Sequence, residues 1–272
     1  MPLLHSRTLT RALPAVLAAA LLAACGSDDA SDGDGAPAGG ASPSGGSGGG
    51  SVELTVLAAA SLTDVFEDAK EVYEDANPQV SLRFSFAGSQ ELAAQVQEGA
   101  PADVLVTADT TTMDGVADLT DDPAVIARNA LTLVTPPDDP GGVDELADLA
   151  DEDLRLVLAA PEVPAGRYGR EILDRLGIDA RPDSEEPNVR AVLGKVELGE
   201  ADAGLVYVTD ATAAGADAVR AVPIPEEDNV LAAYPAAAVT DSENADAAQD
   251  FVDWLLTDEA QEVLAGAGFL AP

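Results

Sequence analysis

The sequence predicts an α/β fold with a largely parallel sheet, and two observations carry that expectation. From Val52 onward, short stretches that alternate apolar and polar residues take turns with longer stretches whose apolar residues recur every three or four positions. That interleaving of strand and helix periods is what a parallel sheet with crossover helices requires. No internal repeat interrupts it.

The elements follow in order. Val52, Leu54 and Val56 alternate with Glu53 and Thr55, a strand. Leu62, Val65, Phe66, Ala69, Val72 and Tyr73 sit at helical spacing, and Asn77-Pro78 stops that helix. Val80, Leu82, Phe84 and Phe86 alternate with Ser81, Arg83 and Ser85, the clearest strand in the chain. A helix through Leu92 and Val96 ends at Gly99, and Asp103 to Ala108 is a third strand. Ala130 to Thr135 and Leu154 to Ala159 are apolar runs of buried-strand length. Helices through Ile172-Leu173 and through Val189-Val196 close at Gly177 and Gly199. Leu205 to Val208 and Val219 to Ile224 are strands, and Leu231 to Val239 is a strand or a strand pair broken by Pro235. One last helix, Ala245 to Leu264, buries Phe251, Val252, Leu255 and Leu256.

Ahead of the folded part, residues 1–24 read as an export signal. His5, Arg7 and Arg11 precede a short apolar run, Leu13 to Leu22, too short to span a bilayer. It ends in Leu22-Ala23-Ala24-Cys25, which resembles a bacterial lipobox and predicts a lipidated Cys25. An ordinary cleaved signal followed by an incidental cysteine is the alternative. As the chain's one cysteine, Cys25 leaves no disulfide within the chain. Residues 25–51 then hold almost nothing but Gly, Ser, Ala, Asp and Pro, a composition with no apolar surface to offset ordering entropy. A flexible tether of that length reaches about 25–30 Å on average.

Composition removes several classes of function. Without Arg7 and Arg11 the 13 basic residues fall to 11, against 50 acids, a net charge of −39. Nucleic acid and anionic lipid both call for a basic patch, so neither is an expected partner. The one histidine, His5, lies in the leader, so nucleophilic triads and histidine zinc sites have no residues to use. No phosphate-binding glycine loop is present. Acid pairs such as Asp121-Asp122 and Glu185-Glu186 could serve a carboxylate enzyme or a hard cation. Among 50 acids, adjacent pairs arise by chance, and they read as surface charge.

The informative segments are four places where small or hydroxyl residues stand between a strand or loop and a helix: Ala58-Ala59-Ala60-Ser61-Leu62, Phe86-Ala87-Gly88-Ser89, Val163-Pro164-Ala165-Gly166 and Pro187-Asn188-Val189-Arg190. The first N–H groups of a helix lack internal partners and carry partial positive charge, which suits an oxyanion. Singly, each segment also reads as an ordinary cap or turn. Ser61 with Asp64 looks like a capping box, and Gly88-Ser89 and Pro164–Gly166 look like turns. Periodicity alone does not make them converge.

Those segments, taken in order with Gly99-Ala100-Pro101-Ala102-Asp103, Gly204-Leu205-Val206-Tyr207-Val208-Thr209-Asp210-Ala211 and the terminal Gly268-Phe269, resemble the motifs of periplasmic molybdate-binding proteins over Val52 to Pro272. The resemblance implies a two-lobed, type II periplasmic-binding-protein fold, each lobe a mainly parallel sheet flanked by helices, with the ligand in the cleft between them. Residues 52–131 and 228–272 would form lobe 1 and residues 132–227 lobe 2. Ligand contacts would come from Ser61 and Ser89 in the first lobe, and from Ala165, Val189 and Tyr207 in the second, Ala165 and Val189 through backbone N–H and Tyr207 through its hydroxyl. The ligand would be molybdate, with tungstate as a companion. No catalytic residue, cofactor or bare metal cation is implied, since the molybdenum would be held as its oxyanion. The implied partner is the permease of an ABC importer, with the protein a monomer that touches the membrane through its lipid alone. In this sequence Gln90 and Asn188 stand where the family often has Ser or Thr and Asp. Competing readings are a binder of sulfate or another tetrahedral oxyanion, a carboxylate-based enzyme of α/β fold, and a surface lipoprotein with no small ligand.

Overall fold

The computed structural model describes residues 51–272. The expected leader, Cys25 and nearly all of the tether lie outside the described residues. From there the chain runs β1 (Val52–Ala59), a 3-10 turn (Ala60–Leu62), α1 (Thr63–Ala76), β2 (Val80–Ala87), α2 (Ser89–Gln97), β3 (Val104–Val106), α3 (Thr110–Asp114) and β4 (Ala124–Thr135). It continues through β5 (Leu156–Ala159), α4 (Pro164–Leu176), β6 (Ser184–Glu186), α5 (Val189–Glu197), β7 (Ala203–Tyr207), α6 (Val208–Ala214), β8 (Arg220–Pro223), β9 (Leu231–Ala238), α7 (Ala245–Trp254) and α8 (Asp258–Gly266).

The strands lie in the order β2-β1-β3-β9-β4-β7-β5-β6, with β8 also on β4. Pairing is parallel where helices make the crossovers, β1 with β2 and β3, and β5 with β6 and β7. It is antiparallel wherever β4 or β9 takes part. The fold is therefore α/β and two-lobed, with two parallel cores joined through antiparallel strands. β4 serves both: Ala124–Ala130 faces β9, and Leu131–Thr135 faces β7 and β8. At the changeover the Asn229 side chain accepts from Leu131 N–H at 3.2 Å and donates to Leu131 C=O at 2.8 Å, filling the ladder position that neither strand supplies.

Amphipathic spacing seats each helix. α1 buries Val65, Phe66, Ala69 and Tyr73 on one face, and the ring of Phe251 from α7 meets Tyr73 at 5.0 Å and Phe66 at 6.4 Å. α7 and α8 thus return the chain's end onto α1, although the chain passes through β4 to β8 in between. Gly166 lets α4 approach β5, since a β-carbon there would meet Ala160 C=O at 2.0 Å.

Several elements differ from the sequence expectation, each for a local reason. Pro235 does not break β9; it sits where the register with β4 shifts between Val125 and Ala127, so its missing N–H costs no ladder bond, while its C=O accepts from Thr107 N–H at 3.0 Å. The single C-terminal helix is two, because Thr257 caps a new N-terminus whose first turn carries Asp258 and Glu259. α3, α6, β6 and the first half of β4 were not anticipated. The Glu185-Glu186 pair is also more than surface charge. Glu185 is exposed but pairs with Arg170, while Glu186 is buried and paired with Lys195. Burial raises the Glu186 carboxyl, but Lys195 and Ser184 outweigh it and hold it below the usual carboxylate range. Asp121 and Asp122 are exposed.

Candidate functional site

Four strand or loop ends deliver four helix N-termini to one place. β1 runs into the 3-10 turn that carries Ser61. β2 ends at Ala87, and Gly88, in extended backbone, opens α2 with Ser89 as its first residue. Val163 leads into α4, where Pro164 takes the first helical position, at which a missing N–H is harmless. Asn188 caps α5, its side-chain oxygen accepting from Ala191 N–H at 2.9 Å, with Val189 first in the helix. Tyr207 closes β7, its own N–H held by Asp210 at 3.1 Å.

All five predicted residues, Ser61, Ser89, Ala165, Val189 and Tyr207, line a single small pocket, together with Ala59, Ala60, Ala87, Gly88, Ala108, Val163, Pro164 and Asn188. No charged side chain lines it. A wider groove lies against β4, β8 and α6, and none of the five predicted residues reaches it.

The capping reading of Ser61 fails here. Its hydroxyl caps nothing and lies 2.9 Å from the Tyr234 hydroxyl, both groups buried. Ser89 Oγ accepts from Ala108 N–H at 3.0 Å. The Tyr207 hydroxyl is buried and has no hydrogen-bond partner in the protein. Burial above all, then the neighbouring Tyr234, Tyr168, Asp109 and Asp210, pushes its pKa far up, so the phenol keeps its proton and remains a donor. Three lining residues, Ser61, Ser89 and Tyr207, carry hydroxyls, and Ser89, Ala165 and Val189 stand in first helical turns, where N–H groups lack a helical partner.

Around the pocket the two halves touch directly. Arg167 on α4 pairs with Asp109, ahead of α3, with Nε at 2.9 Å, and also reaches Thr112 Oγ1 at 2.8 Å. Arg190 on α5 pairs with Asp64 on α1 and has Nε 2.8 Å from Asp210, an ion pair whose N–H does not point along the contact. Gln90 Nε2 donates to Pro187 C=O at 2.8 Å, and a β-carbon at Gly88 would meet that same oxygen at 2.4 Å. The two departures from the family pattern therefore have uses: Gln90 bridges the halves, and Asn188 caps α5 as Asp would. Sequence reading missed Tyr234, Asn129 and the Arg167–Asp109 pair. A tyrosine within an apolar strand carries no signal of what lies behind a serine 173 residues away.

A family model described as bacterial extracellular solute-binding protein matches residues 54–270. The chain belongs to the bacterial extracellular solute-binding proteins. Among relatives of this solute-binding protein, the molybdate-binding protein ModA of Mycobacterium tuberculosis is 37% identical over 267 residues, covering 97% of this chain and 98% of that one. The Haemophilus influenzae molybdate-binding protein ModA is 37% identical, covering 81% and 91%. The structure of the Azotobacter vinelandii periplasmic molybdate-binding protein aligns with a TM-score of 0.71 at 20% identity, over 80% of this chain and 99% of that one. The sulfate-binding protein SubI of Mycobacterium tuberculosis aligns with the same TM-score at 18% identity, over 80% and 86%. At those identities the two structures speak for the fold alone. Membership makes this solute-binding protein a transport component and sets the carboxylate enzyme aside. Among the described residues no helix is long and apolar enough to cross a membrane.

Proposed function

We propose that this solute-binding protein captures molybdate, and tungstate by the same geometry, in the pocket between its two sheets and delivers it to the permease of an ABC importer. One observation carries the reading. The Tyr207 hydroxyl is a buried donor without a protein partner, in a pocket that four helix starts line and no charged side chain enters. Such a site wants a small, fully deprotonated anion. Molybdate at neutral pH is a dianion with only acceptors. Hydrogen phosphate brings an O–H, and no carboxylate lines the pocket to receive it; an unpaired buried donor costs about 1–3 kcal/mol. Sulfate matches in charge and shape and is turned away by size. In this reading Ser61, Ser89 and Tyr207 donate through side chains, and Ala165 and Val189 through backbone N–H. The M. tuberculosis and H. influenzae relatives carry the name molybdate-binding protein.

The same reading assigns residues 52–131 with 228–272 to one lobe and 132–227 to the other, which close on the anion by a hinge. It makes the protein a monomer anchored to the outer face of the cell membrane through Cys25. Titration calorimetry with molybdate, tungstate, sulfate and phosphate tests the ligand: tight binding of the first two and weak binding of the others is expected, and sulfate binding as tightly as molybdate overturns it. Labelling cells with a radioactive fatty acid tests the anchor. Wild-type protein should take up label and Cys25→Ser should not, and an unlabelled wild-type band refutes the lipoprotein assignment.

A further inference from the structure

We propose that Tyr234, which lies behind the pocket and lines none of it, is a positioning residue that turns the Ser61 hydrogen toward the pocket and so sets the preference for oxyanions without a proton. The inference rests on the oxyanion reading above. Tyr234 stands on β9, is fully buried, and has its hydroxyl 2.9 Å from Ser61 Oγ. A hydroxyl has one hydrogen to give and lone pairs to receive. When Tyr234 donates to Ser61 Oγ, the Ser61 hydrogen is released toward the pocket that Ser61 lines.

The surroundings favour that direction. Among the described residues the Tyr234 hydroxyl has Ser61 as its hydrogen-bond partner and no other, so if Ser61 donated, the buried phenol hydrogen would be left without an acceptor. Ser61 is then the acceptor left for the Tyr234 hydrogen, and a buried hydrogen with no acceptor is the costly arrangement. Ser89 supplies an independent parallel. Its Oγ accepts from Ala108 N–H, a group that can only donate, so the Ser89 hydrogen also has to leave by another direction. One serine is set by backbone, the other by a tyrosine.

Tyr234→Phe tests this, because it keeps the ring that packs edge-on to Tyr207 at 5.9 Å and to Phe269 at 5.4 Å. Without the phenol hydrogen, Ser61 Oγ is free to turn and accept the O–H of hydrogen phosphate. Titration of the full chain should show molybdate weakened about tenfold, the order of one lost hydrogen bond. Hydrogen phosphate, measured by competition, should not weaken, so the ratio between the two anions narrows. In a Ser61→Ala background the same change should do nothing further. Equal weakening of both anions, or additive effects of the two substitutions, would overturn the proposal. Wild-type protein that binds no oxyanion would instead overturn the oxyanion reading on which it rests. If Tyr234→Phe does not fold, 3,5-difluorotyrosine at position 234 keeps ring and hydroxyl and strengthens the donor. It should tighten molybdate relative to phosphate, and an unchanged ratio would overturn the proposal equally.

Discussion

Removing the Tyr207 hydroxyl should move ligand affinity and ligand-free stability in opposite directions. Tyr207→Phe deletes one oxygen and leaves the ring in place, 1% exposed and edge-on to Tyr234. With anion present, a hydrogen bond to a charged group is lost, about 1.5–3 kcal/mol, or roughly ten- to a hundredfold in affinity. Without anion, the hydroxyl is a buried donor with no protein partner, an arrangement that costs about 1–3 kcal/mol. The substitution relieves that cost, so the ligand-free protein should melt no lower than wild type, and higher if it spends its time in the closed form. Calorimetric titration with molybdate and thermal melting of the ligand-free protein give the two numbers. A mutant that binds like wild type, or one that loses stability without ligand, would refute the reasoning, since either means that the hydroxyl is satisfied by something other than the anion.

Three further outcomes are expected. Ala165→Gly keeps the backbone N–H and should change molybdate affinity little, whereas Ala165→Pro removes it and should cost as much as a serine deletion, about ten- to a hundredfold by titration. Arg167→Ala leaves the Asp109 carboxylate, 3% exposed, without its partner unless the halves separate. Stopped-flow measurement should therefore show faster molybdate release, partly restored by Asp109→Ala in the same chain. Asp210 is buried, and that burial, only partly offset by Arg190, raises its pKa to about 7. An acid raised in the folded state binds more protons there than in the unfolded chain, so its contribution falls as pH climbs from about 4 to about 7 and is flat above. Wild type should accordingly lose more melting temperature than Asp210→Asn between pH 4.5 and pH 8, and parallel losses would contradict this.

The parts of the molecule legible in the sequence are those governed by neighbours along the chain. Alternation from Val80 to Phe86 made β2 plain, and Gly177 and Gly199, both with positive φ, marked the ends of α4 and α5. Short elements escaped because three to seven residues carry too little periodicity, as in β6 and α6. The split at Thr257 was readable in principle, since a threonine followed by Asp258 and Glu259 is a helix start; the continuous run of apolar positions on either side hid it. The five pocket residues came from ordered motifs, and each motif by itself fitted a cap or a turn. What brings them together is the crossing of β4 and β9, a non-local pairing that no local pattern encodes. Tyr234 was out of reach for the same reason.

β4 also decides whether the halves can exist apart. One half draws on its first seven residues and the other on its remainder, so neither sheet is complete without it. A fragment that ended before Ala124 would lack β4 and β9 and leave β3 with a bare edge, and one that began after Thr135 would leave β7 and β8 with no common neighbour. Unpaired backbone of that kind recruits other chains, which makes isolated halves prone to self-association. The molecule should therefore unfold in one cooperative step despite its waist, and a genetic cut at the hinge should yield aggregates rather than two tractable pieces.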